Sequence, residues 1–391
     1  MNNRELFYAN LAQTSPKPLA LEIDKAEGIY LWDSNGKKYI DLISGISVSN
    51  VGHRNPSVVS AIKEQVDKYL HLMVYGEYIQ SPQIKLAKKI SDLLAENLNS
   101  VYFVNSGSEA VEGALKLAKK FTNRTEIIAF KNAYHGSSHG SLSVMGNERL
   151  KQPFRPLLPD VKFIEYNNID QLKNINHKTA CVIVETIQGE AGAIVPSQGF
   201  MTALREACNK NGALLILDEI QTGFARTGTM FAFEQFNIVP DIMTIAKGFA
   251  GGMPLGAFIS SKEIMTTLAS NPALGHITTF GGHPVSCAAA LASIDVIESE
   301  KLISKIKSKE TLFRKYLKHP KIKDIHGRGL LLALEFENFS FNKKVIDRCI
   351  ANGLIADWFL FADNCFRIAP PLIITEDEIK NACEIILLAI E

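Results

Sequence analysis

The stretch that decides the fold is residues 213–260, ALLILDEIQTGFARTGTMFAFEQFNIVPDIMTIAKGFAGGMPLGAFIS. An apolar run of strand length ends on Asp218 and Glu219, and a second short strand pattern, residues 241–246, leads to Lys247. Ligands of open α/β sheets bind beyond the carboxyl ends of the strands. An acid at the end of one strand and a lysine at the end of the next can therefore face one crevice. The stretch predicts an α/β fold with Asp218 and Lys247 at one edge of its sheet.

Asp218 and Lys247 are the residue types that an aldehyde cofactor requires. A lysine amine binds the aldehyde as an imine, and pyridoxal phosphate needs an acid that keeps its pyridine nitrogen protonated. Gly248, Gly251 and Gly252 follow the lysine, and backbone without side chains can approach a planar ligand closely. Strand-end acids and lysines are also common without a cofactor. The pattern makes Asp218 and Lys247 candidate catalytic residues and pyridoxal phosphate the candidate cofactor.

Three motifs carry a resemblance to a known family: LDEIQTGFARTG at 217–228, PDIMTIAKG at 240–248 and TTFGGHP at 278–284. They resemble the signature of the class III, fold type I, pyridoxal-phosphate-dependent aminotransferases, and the similarity extends over nearly the whole chain. The resemblance implies a large domain, residues 50–290, with a mostly parallel seven-stranded sheet. It also implies a small α/β domain that combines residues 1–49 with residues 291–391.

The junction VYFVNSGSE at residues 101–109 predicts a place for the cofactor phosphate. Ser106 and Glu109 have the spacing of a capping box, which marks a helix N-terminus. Such a terminus offers free N–H groups and the positive end of the helix dipole, to which Gly107 and Ser108 add close access and a hydroxyl. An ordinary capped helix is the simpler interpretation of this motif alone. The resemblance favours the phosphate site, because the family binds the phosphate here.

The resemblance also assigns contacts to the cofactor ring. Tyr134, followed by His135, stands where the family stacks an aromatic residue on the ring. Ile220 would press on one face of the ring, and Gln221 would hydrogen-bond its phenolic oxygen.

The threonine-rich turn implies a second subunit. In the family this loop completes the phosphate site of the neighbouring subunit, and Thr279 is the closer match to the contacting residue. Thr278 is assigned to the substrate. The resemblance therefore implies a homodimer with shared active sites.

Two charged residues are assigned to the substrate by the same resemblance. Arg367 would bind the α-carboxylate of glutamate or 2-oxoglutarate, and Glu190 would pair with it and move aside for a dicarboxylate. A structural ion pair is the alternative for Arg367, and Glu185 is a supporting acid. Ser137, assigned to the substrate site, stands where an arginine that grips a substrate carboxylate usually follows the His-Gly pair. The usual bidentate clamp is therefore missing.

The resemblance implies a transaminase with ping-pong kinetics. An ω-amino compound of the acetylornithine, ornithine or 4-aminobutyrate type would give its amino group to 2-oxoglutarate, with Lys247 as acid and base. A broad ω-amine transaminase or an aminomutase of the same family is the alternative. A non-catalytic protein of the same fold is another.

The segment KNAYHGSSHGSLSVMG at residues 131–146 permits two other interpretations. His135 and His139 have the i, i+4 spacing of metal ligands, but Gly136 between them favours a loop and no third ligand is evident. Residues 136–140 match G-x-S-x-G with Ser138 as nucleophile, but the motif does not follow its strand closely enough for a nucleophile elbow. A serine hydrolase at Ser138 is thus a remote alternative, and no metal site is predicted.

Composition excludes several classes of partner. Lys plus Arg (42) and Asp plus Glu (41) give a net charge of +1, which indicates neither nucleic acid nor an anionic membrane surface. The six cysteines form no CxxC pair and are expected to be reduced and buried. The first residues show no signal-peptide pattern. We expect a cytoplasmic protein.

Local patterns predict several elements around the site. Asn35 and Gly36 indicate a hairpin turn, and residues 1–27 a short helix followed by an extended arm. Helices are expected to begin at Asn55-Pro56, with Val59, Ile62 and Val66 marking one face, and at Ser81-Pro82, with Ser81 as cap. A long helix is expected from residue 286, with the lysines of residues 301–318 on a solvated face.

Overall fold

A computed structural model describes all 391 residues, whose strands form three sheets. The strands are β1 (Ile23–Glu27), β2 (Tyr30–Asp33), β3 (Lys38–Asp41), β4 (Ser100–Val104), β5 (Glu126–Phe130), β6 (Val161–Ile164), β7 (Thr179–Glu185), β8 (Leu214–Asp218), β9 (Ile242–Ile245), β10 (Gly256–Ser260), β11 (Asp324–Arg328), β12 (Leu331–Glu335), β13 (Leu354–Ile355), β14 (Trp358–Phe359) and β15 (Ala362–Ile368).

Thirteen α-helical segments connect and cover these sheets, together with five short 3₁₀ helices. They are α1 (Asn3–Asn10), α2 (Ser44–Ser47), α3 (Pro56–Val66), α4 (Ser81–Asp92), α5 (Gly107–Thr122), α6 (His139–Ser143), α7 (Glu148–Lys151), α8 (Gln198–Asn211), α9 (Lys262–Thr266), α10 (Pro284–Ser299), α11 (Leu302–Tyr316), α12 (Phe339–Ala351) and α13 (Glu376–Ile390).

The largest sheet has seven strands in the order β4-β10-β9-β8-β7-β5-β6, which confirms the predicted α/β sheet. Strand β10 runs antiparallel to both neighbours, and the other pairings are parallel. Strands β5, β7, β8 and β9 are buried along their whole length, as expected for parallel strands covered on both faces. The parallel strands therefore end at one edge, where their following loops meet.

The two smaller sheets use both ends of the chain. One has the order β1-β2-β3-β13, and β13 pairs with β3 in parallel, Leu354 opposite Ile40. The other has the order β11-β12-β15-β14. The predicted hairpin turn lies between β2 and β3, where Gly36 has a φ of 80°. The division into domains at residues 49 and 291 stays a prediction.

Several local predictions were wrong in detail. The arm before residue 27 contains strand β1. The buried face of α3 is formed by Val58 and Gln65, and Val66 is exposed. Ser81 is the first residue of α4, and Gln80 precedes it as a cap without a side-chain bond.

The predicted long helix from residue 286 is two helices. Lys301 between them has a φ of 52°, and a left-handed residue cannot continue a right-handed helix. One lysine of α11 is not solvated: Lys309 is buried and donates from Nζ to the carbonyl of Leu372 at 2.6 Å. The amphipathic pattern shows which residues are polar, but not which of them find buried partners.

Segment α2, which follows β3, is a left-handed turn and not a regular α-helix, and it carries the chain from the small sheet to the site. Residues Ser44 to Ser47 have φ values of 47°, 62°, 62° and 63°. Such values are rare for β-branched residues, and the turn contains one, Ile46. The side chain of Ile46 lines a cavity described below.

The buried Arg226 fastens this turn to the rest of the molecule. Its guanidinium donates to the carbonyls of Leu330 (3.0 Å) and Pro370 (2.6 Å). It also donates to Ser44 Oγ (3.3 Å) and Asn50 Oδ1 (2.5 Å). No carboxylate contacts it, and burial lowers the pKa of Arg226 to about 9. Oxygens from three separate parts of the chain therefore hold one cation.

Two further findings concern the whole chain. All six cysteines are buried and form no disulfide, as predicted. None of the helices combines the length and the apolar character needed to cross a membrane.

Candidate active site

Lys247 follows strand β9 directly and begins a short 3₁₀ turn. Its backbone has a φ of 49°, and its amine makes no hydrogen bond or ion pair in the chain. Burial lowers the pKa of Lys247, which outweighs the opposite effect of the carboxylate of Glu190. The amine therefore loses its proton more readily than an exposed lysine, and the neutral amine is the nucleophilic form.

Asp218 ends strand β8 and is held in one orientation. Its Oδ2 lies 2.7 Å from Nδ1 of His135, and its Oδ1 accepts from the N–H of Ile220 at 3.0 Å. His135 is buried, and its Nε2 has no hydrogen-bond partner. The acid and the lysine that the sequence placed at one sheet edge thus line the same cleft.

Two more carboxylates are buried beside Asp218, and burial raises the pKa of each to about 7. Glu185 is the cross-strand neighbour of Asp218 and accepts from the N–H groups of Tyr134 (3.0 Å) and Gly189 (3.1 Å). Glu219 accepts from Thr186 Oγ1 at 2.7 Å and from backbone donors of a later turn. Glu185 faces the cleft, whereas Glu219 fixes the loops behind it.

The cleft has a volume of about 420 Å³. It brings together the predicted residues Gly107, Ser108, Tyr134, His135, Asp218, Ile220, Gln221 and Lys247. Thr279 is exposed and lines no part of it. Thr278 lies outside it too, with Oγ1 accepting from Asn105 Nδ2 at 3.3 Å. The roles of Thr278 and Thr279 therefore stay predictions.

One end of the cleft is the N-terminus of helix α5. Ser106 caps the helix, with Oγ accepting from the N–H of Glu109 at 3.2 Å. The capping box is incomplete, because the Glu109 carboxylate binds the N–H of Asn105 instead of that of Ser106. The N–H groups of Gly107 and Ser108 have no intrahelical acceptor. A Cβ on Gly107 would lie 2.9 Å from Ile220 Cδ1, so a side chain at this position would have to displace that of Ile220.

These residues fit pyridoxal phosphate. The helix N-terminus suits a phosphate, the amine suits an aldehyde and the oriented acid suits a ring nitrogen. Two buried nitrogens in the cleft, Nε2 of His135 and Nε2 of Gln221, have no partner in the chain. Buried polar atoms normally have one. A ligand with polar atoms would satisfy them.

A second cavity of about 400 Å³ shares Tyr134 and Lys247 with the cleft. Arg367 on β15 donates from Nη1 and Nη2 to the two carboxylate oxygens of Glu190, both at 2.9 Å. Burial alone would raise the pKa of Glu190, but the Arg367 guanidinium holds that pKa below its usual value. The predicted pairing of Glu190 with Arg367 is therefore present beside Lys247.

A third residue of this cavity escaped the sequence analysis. Asp357 Oδ1 accepts from Arg367 Nε at 2.9 Å, and the ring of Phe359 lies 4.3 Å from the guanidinium carbon. The signal was an acid inside the apolar run LIADWFLF, residues 354–361. A buried charge in such a run needs a partner.

The segment after Tyr134 does not form the alternative sites. Ser138 Oγ donates to Glu112 at 2.6 Å, and the ring of His139 binds the carbonyl of Pro156 at 2.9 Å. No histidine reaches Ser138, so the hydrolase interpretation was wrong. His135 binds Asp218, so the two histidines do not form the metal site that the spacing of His135 and His139 suggested.

Ser137 lies at the surface near the mouth of the cleft. Its N–H donates to Ser108 Oγ at 3.2 Å, and its own Oγ lies 3.2 Å from the hydroxyl of Tyr134. It lines neither the cleft nor the second cavity. Its predicted contact with substrate stays a prediction.

The sheet, the lysine and the acid at its edge define a fold type I α/β enzyme, a class that uses pyridoxal phosphate. Comparison with known proteins gives the family: the profile of Aminotransferase class-III matches residues 11–390. An acetylornithine aminotransferase from Methanopyrus kandleri is 39% identical over 388 residues, which cover 98% of this chain and 97% of that protein. The chain belongs to the class III aminotransferases and is a transferase.

Solved structures agree with this assignment. A transaminase from the marine bacterium Virgibacillus superposes with a TM-score of 0.93 at 31% identity, covering 99% of this chain and 98% of that one. The ornithine aminotransferase of Toxoplasma gondii, described with partial occupancy of PLP at its active site, gives a TM-score of 0.92 at 29% identity. That match covers 99% of this chain and 92% of the other.

Proposed function

We propose that this enzyme uses pyridoxal phosphate to move an amino group from an ω-amino compound to 2-oxoglutarate, which becomes glutamate. The main support for this proposal is the bidentate Arg367–Glu190 pair in the cavity that Lys247 also lines. The edge of a guanidinium matches a carboxylate, so Arg367 can exchange Glu190 for a carboxylate of the acid. The donor is of the acetylornithine, ornithine or 4-aminobutyrate type.

The residues of the first cleft would hold the cofactor. The N–H groups of Gly107 and Ser108 would bind the phosphate, Tyr134 and Ile220 would contact the ring, and Gln221 would donate to its phenolic oxygen. When bound, pyridoxal phosphate supplies an aldehyde that accepts an amino group and a ring that withdraws electrons.

The chain itself moves the protons. The neutral Nζ of Lys247 takes a proton from the amine-bearing carbon of the donor, and burial favours that neutral form. Asp218, held by His135, presents its carboxyl group at a fixed place for the ring nitrogen. A mobile Lys247 would weaken the proton transfer, and a mobile Asp218 would weaken the contact with the ring nitrogen.

Donor and acceptor use the same cavity in turn, which is the basis for ping-pong kinetics. Glu190 covers Arg367 while an ω-amine is bound and turns away when a dicarboxylate enters. Arg367 is the single arginine in the cavity, and Ser137 offers no second one. This supports the alternative of a transaminase with broad ω-amine specificity.

A homodimer with shared sites belongs to the proposal. Exposed apolar side chains, including Tyr78, Ile79, Ile277 and Phe280, lie on the two segments that flank a groove at Thr278. An exposed apolar surface of this kind is typical of a subunit interface. Thr279 would reach the phosphate site of the partner from there. A cytoplasmic location also stays a prediction.

Spectra of half-reactions test the proposed function. The purified protein should acquire a near-visible absorbance band with pyridoxal phosphate, and each true donor should abolish it while 2-oxoglutarate restores it. The variant Lys247→Ala should lose both the band and the turnover, whereas Lys88→Ala, at an exposed lysine, should keep them. A Lys247→Ala variant that transaminates as well as its parent would refute the proposal.

A further inference from the structure

The Arg367 guanidinium contacts two carboxylates. Glu190 occupies the Nη1 and Nη2 edge, and Asp357 occupies Nε at 2.9 Å. The backbone of residues 357 and 358 accepts two more hydrogen bonds from Arg367. The backbone N–H of Arg367 donates to the carbonyl of Asp357 (3.0 Å), and Nη2 donates to the carbonyl of Trp358 (3.2 Å). Glu190 and Asp357 occupy different nitrogens, so a substrate could replace Glu190 without breaking the Asp357 contacts.

The lining of the second cavity carries two basic side chains, Lys247 and Arg367, and two acids, Glu190 and Asp357. The side chain of Asp357 is 26% exposed, and its Oδ2 accepts no hydrogen bond, so this charge faces the cavity. Burial raises the pKa of Asp357 to about 6, which leaves it charged near neutral pH.

We propose that Asp357 controls how tightly the cavity binds a carboxylate ligand. It acts in two ways: its oxygen on Nε turns the Nη edge of Arg367 toward the ligand, and its negative charge weakens the binding of an anion there. This rests on the proposed function, in which Arg367 receives the carboxylate of the acid substrate. Asp357 is thus a positioning residue for Arg367, and its charge lowers the affinity of the cavity for dicarboxylates.

Two uncharged variants separate the two effects. Asp357→Asn keeps an oxygen for Nε and removes the charge, so the Kd of the dicarboxylate should fall on the order of fivefold. Asp357→Leu removes both, so it should bind the dicarboxylate about tenfold more weakly than Asp357→Asn, because the guanidinium edge is no longer held. Asp363→Asn, at an exposed acid on β15, the strand that carries Arg367, is the control and should leave the Kd unchanged.

The experiment measures binding and not turnover. Glutarate, a dicarboxylate without an oxo group, is titrated calorimetrically into the cofactor-loaded protein and its variants. Kinetics add a second signature: Asp357→Asn should show a lower KM for the oxo acid while kcat is kept. If Asp357 had a purely structural role, Asp357→Asn would have a lower kcat and a lower thermal midpoint, and its Kd for glutarate would not fall.

The outcomes distinguish this inference from the proposal on which it rests. If Asp357→Asn binds glutarate no more tightly than the parent, or if Asp357→Leu equals Asp357→Asn, the inference is overturned and the transaminase proposal stands. If the parent protein binds no glutarate, Arg367 is not a carboxylate site and both are overturned.

Discussion

Replacing Glu190 by glutamine should free the carboxylate site. Glu190 accepts hydrogen bonds from Arg367 at 2.9 Å (twice) and from the N–H of Leu360 at 3.0 Å, and a carboxylate ligand must displace it. Glutamine keeps one oxygen but turns an NH₂ toward the guanidinium, so one charge-assisted bond is lost. Such a bond contributes about 1.5–3 kcal/mol. The Kd of glutarate should therefore fall roughly ten- to hundredfold.

Calorimetric titration of glutarate into the Glu190→Gln protein measures this change. Glu337→Gln, at an exposed glutamate, is the matched control and should bind glutarate like the parent. The thermal midpoint of each variant verifies that it is folded. An unchanged or larger Kd in Glu190→Gln would show that glutarate binds without displacing Glu190, and the exchange on Arg367 would then be wrong.

Three further predictions concern proton affinity, the rejected hydrolase and stability. In the cofactor-free protein, competitive acylation with peptide mapping should find Lys247 titrating below 10.5, because burial disfavours its ammonium; titration at or above 10.5 contradicts this. Ser138→Ala should keep full transaminase activity and lose about 1 kcal/mol of unfolding free energy with the bond to Glu112, and a large loss of turnover would revive a catalytic serine. Arg226→Met should lower the free energy of unfolding by about 2–4 kcal/mol in denaturant titrations, since it leaves two buried carbonyls without donors; an unchanged value would mean that removal of the buried charge offsets the lost bonds.

The sheet edge could be predicted because its chemistry follows from chain direction. Asp218 and Lys247 each come at the end of a buried parallel strand, so their proximity needs no knowledge of side-chain packing. Tyr134 and Gly107 follow other parallel strands and reach the same cleft for the same reason. Arg367 and Glu190 were placed by the family resemblance, since no local pattern joins residues so far apart in the chain.

Other features depend on contacts that no local pattern records. Strands β13 and β14 have two residues each, too few to show a period, so the turn that presents Asp357 to Arg367 was not expected. Lys309 was assigned to solvent by its neighbours in α11, but its partner is a carbonyl beyond residue 370. Arg226 lies in the motif at residues 217–228 that carries the family resemblance. Nothing in that motif indicates that the partners of Arg226 come from residues 44, 50, 330 and 370.

The network around Arg226 limits how the molecule can move. A guanidinium without a counter-charge is stable in the interior only while its surrounding oxygens stay in place. Those oxygens belong to the turn that carries Ile46, to Asn50, to Leu330 just before β12 and to the proline pair after β15. A motion that pulled these segments apart would leave the guanidinium without partners, so we expect them to move together as one unit.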